Sequence, residues 1–233
     1  MNKLSSQDRS ALIRLASFLP AGSPERKVIL SGLFDVFKKY NIEGKHILDQ
    51  AQVLDKAQVK DNAKISNKAV VRENAIVSGK ATVSREGKVY GNAKVYGDAG
   101  IFGESFVAGH AEVFGHATLW KASGVWDKAK VYGKAGIHGA KVYGNAEVYG
   151  EANVFGSMSI CDNAQVFDKA QINSRGWVKG NAKVFGNAQI EGDRTMIMGN
   201  ASIGGDAHIL GGKWDGSEGE ILSGRWRGPG VPA

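Results

Sequence analysis

Residues 88–119 read KVYGNA KVYGDA GIFGES FVAGHA EVFGHA TL. Every sixth residue is aliphatic: Val89, Val95, Ile101, Val107, Val113, Leu119. Two residues ahead of these sits a small side chain: Ala93, Ala99, Ser105, Ala111, Ala117. The unit is A-x-V-x-G-N or close to it. The same period runs without a slip from Val53 to Ile137. One residue is lost near Gly139, and the series resumes from Val142 to Ile190. One is gained near Thr195, and Ile197, Ile203 and Ile209 follow.

Within Ala-x-Val the spacing is two, so both side chains point to one face of a short strand. Gly followed by Asn or Asp supplies positive φ and a turn. An amphipathic helix cannot satisfy a strict period of six. A hairpin stack would need turns of alternating direction. A coil of short strands with one bend per hexapeptide buries every aliphatic and every Ala on a common axis. Small residues are needed because a narrow interior has room for one large side chain per rung.

Composition narrows the rest. Glycine accounts for 32 of 233 residues, about twice the usual share, yet there is no G-x-y period of collagen. One cysteine, Cys161, permits no internal disulfide. It is expected to be a half-exposed free thiol, in keeping with a reducing compartment. No apolar run is long enough to span a membrane, and residues 1–10 lack the apolar block of a secretory signal. The formal net charge is +7, but residues 1–45 hold more than half of that excess, so the repeat region is nearly balanced. Nucleic-acid binding is disfavoured on that ground.

The repeat resembles the hexapeptide-repeat proteins, and its V-Y-G-N-A form is similar to bacterial and phage proteins often labelled transferases. The resemblance covers residues 46–210. It implies a left-handed parallel β-helix with three hexapeptides per coil, hence about nine coils and a prism about 43 Å long at ~4.8 Å per coil. It also implies a homo-oligomer, a trimer in that family, and a cytoplasmic or virion-associated location.

With eighteen residues per coil, the outward residues after each aliphatic fall into three columns. The second holds six successive aromatics: Tyr96, Phe114, Tyr132, Tyr149, Phe167 and Phe185. Lys94, Glu112, Lys130 and Glu147 stand beside it with alternating sign. Such a strip is more apolar surface than a monomer usually leaves bare, so these six residues are expected to form a subunit or partner interface. The opposing reading is a stack that only stabilises its own ladder. The first and third columns also carry aromatics but are interrupted, the first at Ala108.

The resemblance brings in acyl-CoA-dependent acyltransferases, whose histidine base lies in a cleft between subunits. The candidates here are His110, His116 and His138. His110 and His116 fall on different corners, and no loop leaves the coil. No His/Cys spacing suits a metal, and no cofactor is implied unless acyl-CoA serves the transferase alternative.

Residues 1–45 have helical periodicity, with Pro20-Ala21-Gly22 breaking it and Ser23-Pro24-Glu25 restarting it. An α-helical hairpin is expected there, as a cap or as a docking segment for a partner protein. Residues 211–233 lose the period and carry Trp214 and Trp226 among glycines, which suggests a terminal cap and a remote prospect of glycan binding. The reading as a whole is a non-enzymatic structural or interaction β-helix that self-associates or docks a partner through outward aromatics. The alternatives are an acyltransferase and, more weakly, nucleic-acid or glycan binding.

Overall fold

The computed structural model describes residues 47–228. The helical hairpin expected over residues 1–45 lies outside them. Strands of two or three residues repeat along the chain, from Gln52–Val53 to Arg225–Trp226, and the described residues contain no helix. A strand this short has no stability of its own. Each is held because its neighbours lie one coil before and one coil after, always in parallel. Val53 pairs with Val71, Val59 with Val77 and Ile65 with Val83, eighteen residues on in each case. Each coil donates to the carbonyls of the next: the Leu54 N–H reaches the Val71 oxygen at 2.8 Å, and the Lys60 N–H reaches that of Val77 at 2.9 Å.

The prism has three faces. The second face is a sheet of ten strands, one per coil, so the described residues form about ten turns where the sequence predicts about nine. The extra turn comes from the tail. Lys213–Trp214, Glu220–Ile221 and Arg225–Trp226 pair in register with Met196–Ile197, Ser202–Ile203 and His208–Ile209. The hexapeptide pattern fails there because Ile209, Trp214, Ile221 and Trp226 are spaced five, seven and five apart, and because Trp214, only 3% exposed, takes the place of an aliphatic residue. The carbohydrate role considered for Trp214 is thereby closed to it. Its indole N–H donates to the Gly211 carbonyl at 3.0 Å.

The first and third faces share one sheet of eighteen strands. Their common corner is the irregular one. At the other two corners a residue in the left-handed region turns the chain sharply. Gly133 shows why that residue is so often glycine: its φ is +72°, and a Cβ would stand 2.8 Å from the Gly150 carbonyl oxygen of the next coil. Where aspartate takes the position, its carboxylate accepts a backbone N–H from the coil beyond, as Asp61 does from Gly79 at 2.8 Å and Asp162 from Gly180 at 2.9 Å. That bond offsets the cost of a non-glycine residue with positive φ.

At the shared corner the lost and gained residues are absorbed. Ser123 replaces an interior Ala beside the deletion; its hydroxyl faces the Trp120 and Ile137 carbonyls at 2.5 and 3.0 Å as donor and accepts the Gly139 N–H at 2.9 Å. Two and three coils later Gln171–Val178 and Gln189–Ile197 run unbroken round the corner as single strands. Their pairing shifts between Ser174 and Gly176, which accommodates the extra residue. The Ser174 and Thr195 hydroxyls, 2.8 Å apart, fill the space beneath.

Candidate interaction surface

On the second face the six aromatics form a continuous stack. Ring centroids are 4.8 Å apart for Tyr96–Phe114 and for Phe114–Tyr132, 4.9 Å for Tyr132–Tyr149, 5.0 Å for Tyr149–Phe167 and 5.3 Å for Phe167–Phe185. The planes are parallel to within 9°. The ladder sets this spacing, because each ring rides on a strand one coil from the next. Each ring covers its neighbours' faces, so all six are half-buried within one chain and turn their edges outward.

The charges beside the stack are organised with it. Glu112 accepts from the Lys94 ammonium and from the Tyr96 hydroxyl, both at 3.1 Å. Glu147 accepts from the Tyr132 hydroxyl at 3.2 Å and pairs with Lys130 at 3.7 Å. Burial first, and then these carboxylates, push the Tyr96 and Tyr132 hydroxyls up to about 12. Burial works against the Glu112 carboxylate, but its bonds to Lys94 and Tyr96 hold it below its ordinary value.

The first face is less interrupted than its column of residues suggests. Phe106, on the near side of Val107, leans into the space left by Ala108. It stacks 6.1 Å from Tyr90 and 5.7 Å from Trp126, which itself lies 4.6 Å from Tyr143. Gly124 makes this possible, since a Cβ there would lie 2.6 Å from the Phe106 ring. Arg72 extends the series, its guanidinium 5.2 Å from the Tyr90 centroid. A large residue before one aliphatic and a glycine eighteen residues later form the sequence signal for this contact.

Cys161 is only 4% exposed, not half-exposed. It is a short side chain one coil from Tyr143 on one side and Lys179 on the other. Burial pushes the thiol up, while its hydrogen bond with Tyr143 opposes that shift. A buried thiol of raised pKa is a poor nucleophile.

The three histidines stay apart. His110 and His116 occupy successive corners and are exposed. His110 Nε2 lies 3.3 Å from the Asn92 amide nitrogen, and His116 Nδ1 lies 3.6 Å from the Asp98 carboxylate. His138 lies on the third face, stacked 4.6 Å from Phe155; burial, and then the Lys121 charge, push its imidazole down. None of the three is brought to another. Among the described residues no group of three or more His, Cys, Asp or Glu side chains is placed to hold a metal ion, and no helix is long and apolar enough to cross a membrane.

Comparison with protein-family models and with curated protein sequences finds no match to this chain, so its own geometry carries the functional reading.

Proposed function

We propose that this protein is a non-enzymatic interaction scaffold, a rigid solenoid that self-associates through its second face. The observation that carries this reading is the unbroken stack from Tyr96 to Phe185 on a flat sheet of ten strands. A parallel sheet normally has both faces covered. The outer face of this one presents a strip of ring edges flanked by charges already paired within the chain. Such a surface can be buried with little loss of solvation, because its ions keep their partners. The alternating order Lys94, Glu112, Lys130, Glu147 is complementary to itself when reversed, which suits a two-fold pair and is the rival to a three-chain assembly.

The hexapeptide resemblance supports the finer features of the proposal: a left-handed coil, a trimer and an N-terminal hairpin that caps the coil or docks a partner. The acyltransferase alternative would need acyl-CoA bound near His138 or His110. Calorimetric titration with acetyl-CoA tests it, and no binding at millimolar ligand removes it.

The double variant Tyr132→Glu with Tyr149→Glu places charge at the centre of the strip. Sedimentation should show the wild-type assembly, of three chains on this reading, falling to monomer, with an unchanged circular dichroism spectrum. A wild-type mass of one chain, or a variant that keeps the wild-type mass, ends the proposal. A mass of two chains would replace the trimer with the reversed pairing.

A further inference from the structure

The aromatic ladders differ in how they end. On the second face Phe185 lies against the backbone of Gly204, where even a Cβ would overlap its ring. On the first face Tyr143 is followed by the buried Cys161. On the third face the ladder ends differently. Phe155 stacks on His138 on one side. On the other side its partner in the next coil is Asn173, and the ring remains 36% exposed. Below it lies a depression of about 300 Å³ lined by Phe155, Gln171, Asn173, Gln189, Ile190 and Glu191.

The chemistry of this groove is specific. One apolar ring face stands open at the end of a stack. Beneath it, on two adjacent rigid strands, are three carboxamides and one carboxylate. Carboxamides both donate and accept, whereas a carboxylate only accepts. The amides of Asn173 and Gln189 have no hydrogen-bond partner among the described residues, so their capacity is available to a ligand. Glu191 is held in place by His208, with Nε2 and Oε2 2.9 Å apart. A matching ligand has a flat apolar face about the size of one ring and several hydroxyls at its edge. A phosphate-bearing ligand would meet the Glu191 charge and no cation among the lining residues.

We propose that this groove binds a neutral saccharide. A pyranose continues the ladder by laying its C–H face on Phe155. Its hydroxyls exchange hydrogen bonds with Asn173 and Gln189 and donate to Glu191, which is the division of labour usual in small-ligand sites. The site lies on the third face and does not depend on the second-face contact.

Calorimetric titration of the full chain with cellopentaose, maltopentaose, mannopentaose and chitopentaose tests this. At least one should bind at micromolar to millimolar concentration. Phe155→Leu keeps apolar volume but removes the flat face, and should weaken binding about tenfold or more. Phe155→Trp should retain or tighten it. Glu191→Gln combined with Asn173→Ala should abolish it without changing the melting temperature. The proposal is overturned if none of the four binds at 10 mM, if Phe155→Leu binds as tightly as wild type, or if oligouridylate binds and displaces the sugar.

Discussion

Val131 lies on the axis of the solenoid with no exposure, and its neighbours above and below are Val113 and Val148. A carboxylate there has no partner within the aliphatic column. Val131→Asp is therefore expected to cost at least about 3 kcal/mol and to unfold the central coils. Urea denaturation followed by circular dichroism measures this; unchanged stability would mean that Val131 does not face inward. The tyrosines make a prediction of the opposite kind. Because burial and the neighbouring carboxylates push the Tyr96 and Tyr132 hydroxyls up to about 12 from an ordinary value of 10.0, the folded state holds their protons longer. Their contribution is complete below pH 10 and is lost as pH rises toward 12. Thermal melts between these limits should fall more steeply for wild type than for Tyr132→Phe. Parallel curves would mean that folding does not raise the pKa of the Tyr132 hydroxyl.

The corner is the element that turns a strand into a coil. Gly133 and Gly219 have nearly the same positive φ, +72° and +75°, but different surroundings. A Cβ at Gly133 would meet the next coil's backbone, whereas one at Gly219 would meet nothing within 4 Å. Gly219→Ala should cost only the left-handed strain, roughly 1–2 kcal/mol. Gly133→Ala adds a clash that rigid backbone cannot relieve, so it should cost clearly more. Chemical denaturation of the two variants separates the terms, and equal losses would show that coil-to-coil contact at the corner is unimportant. Asp61 belongs to the same element: its carboxylate binds the Gly79 N–H. An asparagine at that position could still accept the bond, but alanine could not.

At the scale of the molecule, stability is a sum over stacked turns, each contacting only its neighbours. Deleting residues 75–92 removes one complete turn and joins Asn74 to Ala93 in phase. Asn74 then meets His110, the present neighbour of Asn92. This shortened chain should remain folded, with a cooperative but somewhat lower melting transition. Deleting only residues 75–77 should be far more damaging, because Lys80 would then fall at the interior place of Val77. Circular dichroism melts distinguish the two. If the short deletion is tolerated and the long one is not, the six-residue phase does not govern the fold.

The period of six by itself determined the inward column and the corners; three rungs to a turn came from the hexapeptide resemblance, and the pairing of coils in the structure bears it out. The period could do so because the unit is local: an Ala-x-Val strand and one turn specify where the next strand must lie. The aromatic stack was legible once three rungs were taken per turn, since three units return the chain to the same face even where Tyr132 to Tyr149 is one residue short. Features that depend on side-chain volume in three dimensions were decided only by packing between coils. Phe106 bridges the gap at Ala108 because Gly124 leaves it space, and Cys161 is buried against its hydrogen-bond partner Tyr143. The tenth turn escaped the pattern because its residues in register with the aliphatic column are spaced five, seven and five apart, counting from Ile209, and two of them are tryptophans. The Phe155 groove exists because a polar side chain, Asn173, takes the register position where the ladder would have placed another ring.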